Sequence, residues 1–271
     1  MFNLSSPTDD GLIIPKVKPW SADKHYFLQR YIDAFTTAMR DKWELHYIDL
    51  FAGAGIERIK GNGLAWGSPL IAAQAPYKFA RMHLGEYAAA KSSALATRLS
   101  RYSQPSEPQL LQGDANMVVP TVVAEIPPRR SLSLAFLDPY GLHLRYETVC
   151  RLAERDVDLI IFFPDHIDAL RNWRAYYADN PESNLDLVLG TGEWRDRKAA
   201  TPPHRWVDVL RELYEVQLRR LGFSEFHYER ICREDHRPLY RLIFCSRSKA
   251  GGKIWSGTSS KKPDDQRHFE W

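Results

Sequence analysis

Cysteine is scarce in this sequence: three among 271 residues, at positions 150, 232 and 245. Their odd number and wide spacing exclude a disulfide framework and the paired cysteines of zinc modules. They read as small packing residues, and a cytoplasmic location is expected. Long apolar runs are missing too. None approaches the roughly 18 residues a membrane-crossing helix requires, so no span is predicted. The opening stretch MFNLSSPTDDGLIIPKVKPW has no early basic segment followed by a long apolar one, so no signal peptide is expected. Excess charge is small: 37 basic against 34 acidic side chains leaves +3, too little to grip nucleic acid by bulk charge alone. Internal repeats and low-complexity segments are absent as well. What is present, 44% hydrophobic and 26% charged residues, suits an ordinary globular core and excludes a wholly disordered chain.

The first twenty residues carry three prolines and no period, and read as an extended arm. A helix is predicted over about 21–40, with Ser21 as its N-cap and Tyr26, Phe27, Tyr31 and Phe35 as its apolar stripe. From residue 45 onward, apolar runs alternate with helix-length stretches. Strands are predicted at 46–51, 81–87, 108–114, 131–139 and 156–164. Helices are predicted near 68–79, 89–101, 115–125, 146–154 and 166–177. Alternation of this kind implies right-handed crossovers and a parallel sheet covered on both faces. Residues 179–203 are polar and rich in Gly and Pro, and read as a long insertion suited to a lid. A helix at 204–221 stopped by Gly222, then strands at 226–232 and 239–246 joined by REDHRP, predict a closing antiparallel hairpin. The expected division is therefore 1–44 (arm and helix), 45–246 (α/β domain with the 179–203 insertion) and 247–271 (basic tail). Five parallel strands followed by a helix and a hairpin resemble the Rossmann-like, mostly parallel seven-stranded fold of class I S-adenosylmethionine (SAM)-dependent methyltransferases.

Ligands of open α/β sheets bind beyond the carboxyl ends of the strands. Four segments lie there. The first is Asp49-Leu50-Phe51-Ala52-Gly53-Ala54-Gly55. Gly53 and Gly55 lack a Cβ, so a ligand can lie against the backbone, and the turn N–H groups can donate to a carboxylate. This run resembles the first motif of SAM methyltransferases, which implies that Asp49, Phe51, Ala52, Gly53 and Gly55 border the cofactor. The second is Glu86, at the end of the second strand, placed to accept from two ribose hydroxyls. The Gly-rich stretch at 61–69 lengthens the crossover between them. The third is Asp114-Ala115. Asp114 can cap the following helix, take the exocyclic amine of adenine, or do both.

The fourth segment is Asp138-Pro139-Tyr140-Gly141. Amino-methyltransferases carry a D/N-P-P-Y/F motif at this place. An exocyclic amine is a poor nucleophile because its lone pair is delocalised into the ring. A carboxylate accepting its N–H bonds returns electron density to nitrogen, proline stiffens the turn, and an aromatic ring stacks the base. Asp138, Pro139 and Tyr140 are thus the expected catalytic set. D-P-Y-G departs from D-P-P-Y and is closer to the D-P-F/Y-G of tRNA guanine-N2 methyltransferases. No metal is expected in this chemistry.

Lys24-His25, H-Y-I-D-L-F-A-G-A-G (46–55), G-S-P-L-I-A (67–72), F-L-D-P-Y-G (136–141), D-L-I-I-F-F-P (158–164) and K-I-W (253–255) together resemble the three-Cys-motif partner proteins (TcmP) over roughly residues 20–256. The resemblance implies a SAM methyltransferase-like protein encoded beside a Cys-x3-Cys-x2-Cys protein of radical-SAM type, in a setting of nucleic-acid modification or phage defence. It leaves three functions open. The favoured one is N-methylation of a nucleobase amine in DNA or RNA. The rivals are an inactive SAM-fold scaffold for the iron–sulfur partner and an enzyme using the same cofactor on a small molecule or protein. The G-S-P segment reads only as a helix start with Pro at its first position.

Candidate substrate contacts lie in two basic regions and at one strand end. Residues 246–263 hold Arg247, Lys249, Lys253, Lys261 and Lys262 with Trp255 and no acid. This segment can follow a phosphate backbone and stack a base, or be a frayed tail. The insertion carries Trp194 with Arg195, Arg197, Lys198 and Arg205, as a closing lid or a surface loop. His166, after the fifth strand, can assist proton removal or start a helix.

Overall fold

A computed structural model describes residues 4–102, 108–164, 177, 180, 182–232 and 238–260. Ten strands are seen among them: β1 (Lys16–Val17), β2 (Glu44–Asp49), β3 (Ile56–Ile59), β4 (Gly63–Trp66), β5 (Arg81–Glu86), β6 (Gln109–Gln112), β7 (Ser131–Leu137), β8 (Val157–Phe163), β9 (Glu225–Cys232) and β10 (Pro238–Ser246). The helices are α1 (Ser21–Met39), α2 (Ser68–Ala73), α3 (Ala89–Tyr102), α4 (Ala115–Glu125), α5 (Tyr146–Leu152), α6 (Asn184–Leu189), α7 (Trp194–Ala199), α8 (Trp206–Arg220) and α9 (Lys249–Ser259). The helix expected at 166–177 falls outside the described residues, apart from Tyr177.

Seven strands form one sheet in the order β6-β5-β2-β7-β8-β10-β9. β2, β5, β6, β7 and β8 run parallel, and β10 pairs antiparallel with both β8 and β9. This is the Rossmann-like order expected above, with a C-terminal hairpin whose last strand inserts beside β8. The central strands are mostly apolar because each feeds two cores. Leu159, Ile161 and Phe163 of β8 pack with α4, α5, α6 and α8, while Ile160 and Phe162 pack on the opposite face with α1, α2, α3 and α9. Helix α1 buries Phe27, Leu28, Tyr31, Ile32 and Phe35 there. At roughly 1.5–3 kcal/mol per fully buried large side chain, that stripe anchors the N-terminal region to the sheet.

Four expectations are corrected. Ser21 is the first helical residue of α1 rather than its cap; Trp20 holds the cap position, with no side-chain cap bond. The crossover helix α2 ends at Ala73, not near 79, because Pro76 disfavours helical backbone just before it. The arm is not a free extended segment. β1 pairs parallel with β3, and β4 pairs antiparallel with β3, making a second sheet ordered β1-β3-β4. Asp10 of the arm receives Nε and Nη2 of the fully buried Arg98, at 2.9 and 2.7 Å. The 179–203 insertion is not a polar loop. Ser183 caps α6 through a reciprocal bond with Asp186, and Leu185, Val188, Leu189 and Trp194 are buried in the core beneath α8.

Candidate active site

The sheet registers bring four acids to one edge. Asp49 stands opposite Leu84 of β5 and Phe136 of β7. Glu86 stands opposite Gln112 of β6. Glu86, Asp114 and Asp138 each lie two residues beyond these partners, so β6, β5, β2 and β7 present one carboxyl group apiece at neighbouring carboxyl ends.

The loop after β2 is shaped by two glycines with left-handed backbone, Gly53 (φ +65°) and Gly55 (φ +85°). A Cβ at Gly55 would meet Leu70 and Leu95 at 3.0 Å, whereas one at Gly53 would meet nothing within 4 Å. Gly55 therefore closes the loop against α2 and α3, and Gly53 leaves open space above the backbone. The Gly53 N–H donates to Glu86 Oε2 at 2.9 Å and the Ala88 N–H to Oε1 at 2.8 Å, so each Glu86 oxygen keeps a lone pair for a further donor. Ala52 is buried and its N–H bonds Gly85 O at 2.9 Å, and Phe51 is half-buried. Asp114 accepts from the Asn116 N–H at 2.8 Å, capping α4, and is exposed, while Ala115 is buried beside it.

Asp49 is fully buried. Burial pushes its carboxyl up to about 7, against bonds from the Ser68 hydroxyl, the Phe51 N–H and the Tyr47 hydroxyl, with Asp138 adding to the rise. Ser68 gives the G-S-P segment a role the sequence did not show. Gly67 N–H bonds Gly55 O at 2.8 Å and caps α2, which places the Ser68 hydroxyl on Asp49.

Asp138 leaves β7 half-buried, Pro139 is buried, and the Tyr140 ring is 95% exposed. The loop beyond is pinned to α4: Asn116 Nδ2 donates to His143 O at 2.9 Å, and its Oδ1 accepts from the Arg145 N–H and the Thr148 hydroxyl. Sequence reasoning missed Asp138's partner. Lys24, on the first turn of α1, forms a short ion pair with Asp138 Oδ2 and lies 5.2 Å over the Phe162 ring. Burial alone would lower the Lys24 ammonium, but Asp138 beside it raises it, so the lysine stays charged. The only sequence signal was the Lys24-His25 pair at a helix start, 114 residues from Asp138.

Two candidate substrate contacts are corrected. Trp255 is 1% exposed and stacks on Phe244 at 4.7 Å, because residues 249–259 form α9 against α1 and β9, not a frayed basic tail. Trp194 is equally buried, its Nε1 donating to Asp186 at 2.8 Å, and Arg195 binds the same carboxylate. Neither ring offers a face to a ligand. Lys253 is exposed on α9. His166, Lys261 and Lys262 lie outside the described residues. None of the described residues forms a metal-binding cluster of His, Cys, Asp and Glu, and no described helix is long and apolar enough to cross a membrane.

No family model and no curated protein matches the sequence. Among solved structures the chain is similar to protein LPL1258 from Legionella pneumophila, at 12% identity and a TM-score of 0.53 over 92% of this chain and 94% of that one. It is also similar to the O-methyltransferase TomG from Streptomyces achromogenes, in complex with SAM, at 12% identity and 0.48 over 83% and 80%. M. jannaschii TYW2, in complex with AdoMet, follows at 8% identity and 0.45 over 83% and 74%. At these identities the likeness is one of fold.

Proposed function

We propose that this protein is a SAM-dependent methyltransferase acting on an exocyclic amine, with a nucleobase of DNA or RNA as the substrate class. The observation that carries this reading is the adjacency of β2 and β7. It sets the open glycine loop beside an Asp-Pro-Tyr turn whose ring is exposed. The residues fit the cofactor. The space above Gly53 suits a ligand lying on the backbone, and Glu86 keeps two acceptor sites for ribose hydroxyls. Asp49 is a buried carboxylate whose desolvation a ligand ammonium group would offset. Asp114 would take the adenine amine while capping α4.

The bound cofactor would supply an electrophilic methyl group. The chain's own work is to place and activate the acceptor. Tyr140 offers a ring for stacking. Asp138 Oδ1 accepts an N–H of the amine while Lys24 holds Oδ2, which fixes the carboxylate's orientation and leaves one oxygen for substrate. In-line placement then contributes most of the rate. Titration calorimetry with SAM or S-adenosylhomocysteine, followed by label transfer to bulk DNA and tRNA, tests the reading. Binding with transfer supports it. Absence of binding leaves the scaffold for a three-Cys-motif protein as the better account.

A further inference from the structure

Behind the Lys24–Asp138 pair lies a second acid that the mechanism above does not use. Glu57 comes from β3 of the small sheet, the element that interrupts the first crossover. Its Oε2 is shut off from solvent and has no hydrogen-bond partner among the described residues. His25, next to Lys24 on α1, is buried with its Nδ1 equally unpartnered, and its Nε2 stands 3.9 Å from that same oxygen. Buried polar atoms are almost always paired, so an unpartnered carboxylate oxygen beside a histidine that also keeps an unpartnered nitrogen marks a place built for something other than stability. Glu57 is within electrostatic reach of Lys24, Asp138 and Lys91, and Tyr240 faces Lys24 and Asp138 from β10. Burial pushes the Glu57 carboxyl up to about 7, with Lys24 opposing and Asp138 adding. The neighbouring His25 imidazole is pushed down to about 4 by burial and by Lys24, so it is neutral at neutral pH.

We propose that Glu57 is a second carboxylate of the acceptor site, holding the substrate nitrogen and taking its proton, with Lys24 as the positioning residue that commits Asp138 to hydrogen bonding. The proposal rests on the methyltransferase reading. Lys24 pairs with Asp138 Oδ2, and Oδ1 accepts the N–H that stays on the nitrogen. The proton therefore needs another destination. As nitrogen gains its bond to the methyl carbon, the carbon–sulfur bond breaks and leaves its electron pair on sulfur. The nitrogen's surplus proton passes to Glu57, which returns it to solvent after product leaves. The net charge of Lys24, Asp138 and ionised Glu57 is −1, matched to a nitrogen that becomes cationic as it is methylated. The small sheet and the arm pinned by Arg98 thus serve to bring Glu57 to the edge of the large sheet.

Sinefungin tests this without knowledge of the substrate, because it carries a protonated amine where SAM carries the sulfonium methyl. Calorimetry should show sinefungin binding at least tenfold more tightly than S-adenosylhomocysteine at pH 8. Glu57→Gln should cut that ratio at least fivefold while leaving S-adenosylhomocysteine affinity within twofold, and Lys24→Met should raise it. In wild-type protein the ratio should climb between pH 6 and 8, and titration near pH 7 in two buffers of different ionisation heat should show more proton release with sinefungin than with S-adenosylhomocysteine, an excess that Glu57→Gln abolishes. The wild-type measurements hold even where a variant folds poorly. A sinefungin preference that is flat with pH and unchanged in both variants overturns the role of Glu57 while leaving the methyltransferase reading intact. Failure of S-adenosylhomocysteine to bind wild-type protein overturns the parent reading instead.

Discussion

Two pairs of titratable groups, on the same chain and both involving histidine, have opposite fates. Toward the amino ends of the strands, His46 and His83 stack at 5.3 Å with rings 14° apart. His46 bonds Glu44 at 3.1 Å and His83 at 3.1 Å, and His83 bonds the Gln109 amide at 2.9 Å. Every ring nitrogen has a partner, and the chain of bonds ties β2, β5 and β6 together. At the other region His25 is buried and Glu57 half-buried, yet they leave Nδ1 and Oε2 unpartnered. Close by, Asp49 is a fully buried carboxyl group. The difference teaches how to tell a structural polar core from a working one. A closed network contributes stability, and an open one holds unmet hydrogen-bonding capacity ready for a ligand.

The comparison can be broken most forcefully at Asp138. Asp138→Ala should lower methyl transfer about 1,000-fold while SAM affinity stays within about threefold, because the group that accepts the N–H of the acceptor nitrogen acts in the chemical step. Retained turnover would remove Asp138 from the mechanism. Next in size, Asp49→Ala and Glu86→Ala should each weaken SAM binding about 10- to 100-fold, or about 1.4–2.7 kcal/mol. Affinity unchanged in both would show that this edge does not hold the cofactor.

The closed network should respond in stability alone. His83→Leu strips His46 and Gln109 of a partner and should cost about 2 kcal/mol in denaturant unfolding, with SAM affinity unaltered. The two regions should also show opposite pH dependence. Burial pushes His83 down to about 4 from an unfolded value near 6.5, so its contribution is present above pH 6.5 and is lost as pH falls toward 4. Asp49 is raised to about 7 from near 4, so its contribution is present below pH 4 and is lost as pH rises through 7. Asp49→Asn should therefore stabilise the protein at pH 8, on the order of 2 kcal/mol, while still impairing cofactor binding. An Asn variant no more stable than wild type at pH 8 would contradict this. The smallest effect is expected at Tyr140. Its exposed ring makes Tyr140→Ala neutral within about 0.5 kcal/mol, although nucleic-acid substrates should show a raised KM. A clear drop in melting temperature would mean the ring is packed rather than presented.

The large sheet was legible because strands buried on both faces read as continuous apolar runs, as SLSLAFL and VDLIIFF do. The acids at the strand ends were legible by position, since each closes or follows a strand-like run, although the runs at Glu86 and Asp114 are only partly apolar. The small sheet was not. Its strands are two to four residues long, and IERI carries two charges. The partner pairs of the site were hidden too. Lys24–Asp138 and His25–Glu57 join residues that only the fold brings together, and no local pattern encodes them. Residues 179–203 misled through composition. Their many polar residues masked Leu185, Val188 and Leu189, whose i, i+3, i+4 spacing is that of a buried helix face. Trp255 misled in the same way, its basic neighbours pointing to solvent while the ring entered the core.

The central claim is that the carboxyl edge holds SAM through the glycine loop and the acids beside it. Calorimetric titration of SAM into wild-type protein and into Asp49→Ala tests it most directly. The account predicts one site per chain with a Kd of roughly 1–100 μM, in the range common for enzyme substrates, and at least tenfold weaker binding in the variant. No binding heat with wild type, or equal affinity in both proteins, would contradict it.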